Sequence, residues 1–270
     1  MKNPIALLVC GALLLASAGS TFALQDAKDE AREILRSVVK IHAEVPDYAR
    51  SAKTLGTERD GSGVVIDAKG HILTIGYLIN EAETLEVTDA DGKSVKAETV
   101  AYDFRTGFGI IKTARPLQLK PIEMGRSSEV KEGDSVLVAA FGGEEAAIGA
   151  RVISRKEFAG YWEYLLENAI FTAPAHPNFG GAALISRSGK LMGIGSLFTQ
   201  MAISGLGTLP GNVFIPIDDL KPILSDLIAK GRTGDLPRPW LGVNAEETHG
   251  RVILTRITPE SPAEKAGLKT

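Results

Sequence analysis

The chain of 270 residues has almost no cysteine: its single one, Cys10, lies in the first apolar run. No disulfide can form within one molecule, so the fold must be held by its own core. Aromatic residues are scarce at 6%, and neither sign of charge dominates, with 30 Lys and Arg against 33 Asp and Glu for a net of -3. That balance carries no basic footprint for nucleic acid or an anionic membrane surface, so nucleic acid is excluded as an expected partner. The four histidines, His42, His71, His176 and His249, are scattered and lack zinc-site spacing, and His42 and His71 read as solvated strand or loop residues rather than ligands. No metal and no cofactor is therefore expected. The longest apolar run, Ile5 to Ala18, is too short for a comfortable membrane span.

That run has another reading. Lys2 precedes it, and small residues follow at Ala16-Ser17-Ala18 and Thr21-Phe22-Ala23, the pattern of a secretory signal peptide cleaved after Ala18 or, preferably, Ala23. Residues 1–23 are taken as the signal peptide. Bulky Val9 before Cys10 argues against lipidation, so no membrane contact is expected after cleavage.

What the chain does have is glycine, 29 residues of it, with 13 prolines and 44% hydrophobic residues. This composition suits many turns and short strands, and the length suffices for one large core or two smaller ones. A mostly β protein is expected. Apolar residues at Leu24, Ala27, Ala31, Ile34, Leu35, Val38 and Val39 recur at helical spacing, so a helix leads in. Val45 to Arg59 reads as a connecting segment. Strands follow at Gly61 to Asp67, His71 to Thr74, Leu85 to Thr88, Ser94 to Tyr102 and Phe108 to Thr113. More are expected at Ser135 to Phe141, Arg151 to Ser154, Leu165 to Thr172, Ala182 to Ile185, Leu191 to Phe198 and Val213 to Ile217. Short strands with Gly-rich joints point to a barrel or sandwich, and a helix from Asp218 to Lys230, stopped by Gly231, closes the domain.

Residues 231–239, rich in Gly and Pro, read as a linker. Beyond it, Trp240-Leu241-Gly242-Val243 and Arg251 to Arg256 look like strands, and Ser261-Pro262 starts a helix. Residues 240–270 are too few to bury a stable core alone, and they are expected to begin a larger domain.

Taken in order, Gly61-Ser62-Gly63-Val64-Val65-Ile66-Asp67, Lys131-Glu132-Gly133-Asp134, Gly180-Gly181-Ala182, Val213-Phe214-Ile215-Pro216 and Leu241-Gly242-Val243 with Ser261-Pro262-Ala263-Glu264-Lys265-Ala266-Gly267-Leu268 resemble the HtrA family of trypsin-like serine endopeptidases. The resemblance covers about residues 60–270. It implies a trypsin-like double β-barrel over 60–230, after a helix and connection at 24–59, and then the start of a PDZ domain in a secreted or periplasmic quality-control protein.

The family's triad needs a nucleophilic Ser, a His base and an orienting Asp. On this resemblance the base falls on Tyr77, the carboxylate on Gly107 and the nucleophile on Phe179. A phenol of reference pKa ~10 is a poor base at neutral pH, a glycine has no side chain, and a benzyl group cannot attack a carbonyl. The oxyanion-hole position falls on Pro177, which has no N–H to offer. All four positions are expected to be non-functional. His176 acting near Ser196 or Ser204 is a conceivable substitute base, while Ser196 reads more simply as backbone support beside the substrate groove. Phe158, Tyr161, Trp162 and Tyr164 are the densest aromatic cluster, expected to pack across strands, with a peptide groove as the alternative. Leu241, Gly242 and Val243 match the family's carboxylate-binding loop or form an ordinary first strand.

The reading that results is a proteolytically inactive HtrA-like protein that binds peptides, unfolded proteins or partner proteins, with a homo-oligomer left open. An active endopeptidase is the alternative, and a regulatory subunit assembled with an active relative is a third class.

Overall fold

The computed structural model describes residues 28–160, 164–203, 207–234 and 239–270. The expected signal peptide, Leu24, Ala27, Tyr161, Trp162, Ser204 and linker positions 235–238 lie outside the described residues. Helix α1 covers 28–36 and gives way almost at once to strand β1 (Val38–Glu44). This corrects the sequence reading, which carried the helix through Val39 and made residues 45–59 a mere connection. Val39, Ile41 and Ala43 are buried while Lys40, His42 and Glu44 are not, a period of two that the preceding helical period masked. The 45–59 segment itself holds a short helix, α2 (Ala52–Leu55), and the start of β2 (Glu58–Val65).

Strand β1 is needed for closure. The first barrel runs β1, β2, β3 (His71–Ile75), β6 (Phe108–Thr113), β5 (Ser94–Tyr102) and β4 (Thr84–Thr88), with β4 returning to β1. It therefore begins ahead of residue 60. The second barrel runs β10 (Ala183–Ile185), β11 (Leu191–Ile203), β12 (Gly207–Pro216), β9 (Leu165–Ala173), β8 (Ala147–Ala159) and β7 (Ser135–Ala139). Closing each sheet removes the unpaired edges that an open sheet would present. This is the mostly β, trypsin-like double barrel. Strands β9 and β12 pair only over Asn212 to Phe214, so the outer parts of the β8–β9 and β11–β12 pairs extend as ribbons.

Turn chemistry accounts for the hairpins. Between β4 and β5, the Asp89 carboxylate accepts the N–H groups of Asp91 and Lys93 at 2.9 Å each, a side-chain turn of the kind Asp favours. The helix expected over Asp218 to Lys230 is broken in two: a 3-10 turn at Ile217–Asp219, then α4 (Leu224–Lys230). Pro222 disfavours helical backbone at the residue before it and separates them.

The second unit shows strands β13 (Val243–Thr248) and β14 (Arg251–Ile257) and helix α5 (Pro262–Lys265). Trp240 to Gly242 precede the strand rather than forming its start. His249 lies in the hairpin turn, as its position after Glu246-Glu247 suggests, and Ser261 caps α5 by accepting the Glu264 N–H.

Apolar residues of both barrels form one cluster: Ile41, Leu73, Phe108 and Ile110 from the first with Ile194, Val213 and Ile215 from the second. Val138, Ile170, Leu184 and Phe214 form another within barrel two. Because Ile41 is fully buried, Ile41→Ala should cost about 2–5 kcal/mol. Val252→Ala, at a residue 74% exposed, should stay within about 0.5 kcal/mol; urea unfolding of both variants checks the contrast and the membership of β1 in the core.

Candidate active-site seam

The two barrels meet along a seam where backbone touches backbone. Ser62 of β2 donates its N–H to the Gly180 carbonyl at 2.9 Å, its carbonyl accepts the Thr74 hydroxyl at 2.7 Å, and its hydroxyl accepts the Phe141 N–H at 3.0 Å. A Cβ on Gly181 would lie 1.9 Å from the Ser62 carbonyl oxygen, and φ there is +75°. Only glycine satisfies both conditions. The Gly61-Ser62-Gly63 and Gly180-Gly181 motifs therefore have a packing reason that is independent of any catalysis.

On the first barrel, β3 runs directly into helix α3 (Gly76–Ile79), which carries Tyr77. Arg59 holds this turn in place: its guanidinium donates to the carbonyls of Tyr77 at 2.7 Å, Asn80 at 2.9 Å and Gly56 at 3.2 Å, and to the Ser51 hydroxyl at 2.8 Å. Burial lowers the Arg59 pKa, with Glu81 opposing the shift. The sequence reading missed Arg59, because nothing in the local pattern sets it apart from the chain's other basic residues.

Tyr77 donates its hydroxyl to the Ser196 carbonyl at 2.7 Å, and a Cβ on Gly180 would lie 3.1 Å from that hydroxyl. Tyr77 thus stands over the residue next to Phe179. Gly107 is tied to the same turn, its carbonyl accepting the Gly76 N–H at 2.7 Å. The predicted positions Tyr77, Gly107 and Phe179 therefore converge on one seam, while Pro177 is exposed on the loop leading to it. In the 103–107 loop the carboxylate nearest the seam in sequence is Asp103, which accepts the Thr106 hydroxyl at 2.6 Å and its N–H at 3.1 Å.

The remaining candidates have structural partners. His176 accepts the Asn178 N–H at Nδ1, 3.0 Å away, so Nε2 carries the proton and donates to the Ala146 carbonyl at 3.0 Å. Its backbone is also clamped by the Asn212 side chain. Both ring nitrogens are thereby occupied by backbone groups. Phe158 packs edge-on to Phe171 with ring centroids 6.2 Å apart, the expected cross-strand role. Tyr164 does not join them; it turns into the seam. In the second unit, the carbonyls of Leu241 and Gly242 accept the N–H groups of Ala263 and Thr258. No cluster of three metal-ligating side chains occurs among the described residues, and none of their helices is long and apolar enough to cross a membrane.

Comparison with known proteins gives a consistent picture. A family model described as a trypsin-like peptidase domain matches residues 61–194. The chain is 27% identical over 245 residues to the serine protease Do-like HtrA of Bacillus subtilis (strain 168), covering 77% of this chain and 52% of that protein. It is 29% identical over 223 residues to the periplasmic serine endoprotease DegP of Escherichia coli (strain K12), covering 77% and 46%. The chain thus spans about half the length of these relatives. Among solved structures, the HtrA-type protease AlgW with a decapeptide matches at a TM-score of 0.58 and 20% identity over 89% of this chain and 82% of that one; this likeness speaks for the fold.

One histidine departs from expectation. His71 is not a solvated residue but is buried, its Nδ1 2.6 Å from an Asp67 carboxylate oxygen. Burial alone would raise the Asp67 pKa. Hydrogen bonds from the His71 ring and N–H and from the Lys69 N–H outweigh that and hold it below its ordinary value. A depressed carboxyl stabilises the fold above the unfolded aspartate value of ~3.9 and loses that contribution as pH falls through the folded value. Urea unfolding of Asp67→Asn should therefore show a larger deficit against the parent at pH 7 than at pH 3.

Proposed function

We propose that this chain, an HtrA-like protein of the trypsin-like serine protease fold, is a secreted protein that binds peptides or partner proteins without cleaving them. The observation that carries the reading is the convergence of Tyr77, Gly107 and Phe179 on one seam. Where the resemblance calls for a base, a carboxylate and a nucleophile, these residues present a phenol, a hydrogen atom and a benzyl group. Loss of any triad member leaves serine proteases only ~10^3 to 10^4 of their enhancement over water, supplied by the oxyanion hole and binding. Pro177 weakens even that remainder, because its nitrogen cannot donate.

Binding is supported by geometry of another kind. Beyond its pairing with β10, which ends at Ile194, β11 has β12 as its only strand partner among the described residues. The outer edge of residues 197–203 is thus open, with Phe198 half exposed beside it. An extended peptide can add to such an edge through backbone hydrogen bonds. The AlgW protease has been solved with a decapeptide and with a tripeptide, which supports peptide binding on this scaffold. The hairpin β13–β14, the capped helix α5 and the Leu241-Gly242-Val243 loop support the start of a PDZ-like carboxylate-binding unit. The apolar run near Met1 and the periplasmic DegP relative support export to the periplasm.

The second reading, an active endopeptidase, is favoured by the protease names of the relatives. It needs a nucleophile elsewhere in the chain. Ser62 and Ser196 are the serines described at the seam, but the Ser62 hydroxyl accepts the Phe141 N–H and the Ser196 hydroxyl pairs with Tyr164, and His176 spends both ring nitrogens on backbone groups.

Purified protein should neither degrade casein nor react with a fluorophosphonate probe, and stoichiometric labelling of any serine would overturn the inactive reading in favour of the second. Phe179→Ser alone should not restore turnover, since triad groups act as a unit and Tyr77, Gly107 and Pro177 would remain. Robust casein cleavage by that single variant would show that the base or the oxyanion hole has been misplaced.

A further inference from the structure

We propose that the seam is closed by a tyrosine clasp, in which Tyr77 reaches from the first barrel to grip Ser196, and Tyr164, paired to Ser196 within the second barrel, reaches back so that its ring lies on Gly107, a glycine for that reason. The inference rests on the reading that these positions carry no working triad, and it explains what fills the space instead.

A Cβ on Gly107 would lie 2.2 Å from Cε1 of Tyr164, 2.6 Å from Cδ1 and 3.0 Å from Cζ. The ring therefore rests on the bare glycine, and any side chain at position 107 displaces it. The φ of +88° at Gly107 adds a second reason for glycine. From that position the Tyr164 hydroxyl pairs with the Ser196 hydroxyl, while the Ser196 carbonyl accepts Tyr77. Ser196 is fully buried, so its carbonyl and its hydroxyl need protein partners, and the two tyrosines supply them.

The clasp is reciprocal. Tyr77 and Gly107 belong to the first barrel; Ser196 and Tyr164 belong to the second. Tyr77 crosses the seam in one direction and Tyr164 in the other. The local backbone is arranged for this. The register of β11 against β12 shifts between Gly195 and Leu197, which takes Ser196 out of the ladder and frees its carbonyl for Tyr77. The Gly76 N–H to Gly107 carbonyl bond links the turn bearing Tyr77 to the glycine beneath Tyr164, so the two halves of the clasp are set by one piece of backbone. The aryl ring of Tyr164 thus stands where the resemblance would put the orienting carboxylate, and an acid restored at position 107 would meet the ring before it met a histidine.

Two measurements on the purified protein test the clasp. The first is a double-mutant cycle. Gly107→Ala should lower the urea midpoint at least twice as much in the parent as in a Tyr164→Ala background, because only the parent has a ring to displace. Equal losses in the two backgrounds would overturn the pairing. The second removes single oxygen atoms, which spares folding. In Tyr77→Phe and in Tyr164→Phe, amides of residues 76–79 and 193–198 should exchange hydrogen about fivefold faster, while those of β4 and β5 keep their parent rates. Unchanged exchange at the seam, or equal acceleration everywhere, would overturn the clasp. Neither readout depends on catalysis: fluorophosphonate labelling judges the inactive reading, and exchange judges the clasp.

Discussion

The two barrels are pressed together until a side chain no longer fits between them, and the rest of the molecule is arranged around that contact. At its closest point a Cβ on Gly181 would come within 1.9 Å of the Ser62 carbonyl oxygen, and one on Gly61 within 3.0 Å of the Gly180 carbonyl oxygen. The glycines that give the sequence its family likeness are therefore spacers for two backbones. Their presence says that the barrels dock in the trypsin-like way. It does not say that chemistry takes place there.

So close an approach buries polar groups, and each must be answered. Ser62 uses its N–H, carbonyl and hydroxyl, and Ser196 uses its carbonyl and hydroxyl, all within the protein. Arg59 serves the same end one layer out, its guanidinium satisfying three carbonyls around the turn that carries Tyr77. A buried carbonyl without a partner costs about 1–3 kcal/mol, so removal of Arg59 would be felt at the seam although it lies behind it. Positioning and stability are here the same set of bonds.

In an HtrA-like enzyme this docking would bring an acid, a base and a nucleophile into register. Here it brings together a phenol, a glycine and a phenylalanine, with a second tyrosine from the β8–β9 connection. Hydrophobic burial and hydrogen bonding at the seam do not require those groups to be reactive, only to fit. A scaffold of this kind can keep an open strand edge for a ligand while the seam beside it is given over to structure.

Much of the fold was legible in the sequence, because turn residues and apolar runs act locally. The Asp89 to Gly92 turn, the strands around it, Gly231 at the end of α4 and the Ser261 cap all read correctly from neighbouring residues. The residues at the motif positions were legible too, since Tyr77, Gly107 and Phe179 are single residues beside recognisable motifs. The reading failed where the deciding partner is far away in the chain. Val38 and Val39 continue a helical pattern, and only pairing with β2 makes them strand; His71 reads as solvated until the β2–β3 turn folds Asp67 onto its ring. Tyr164 looked like one member of an aromatic cluster, and no local pattern could connect it to Gly107, 57 positions earlier, or to Ser196. Sequence alone determined most of the elements and which residues stand at the motif positions. Only tertiary structure decided what those residues touch, because the contact between two barrels is made by residues that never meet along the chain.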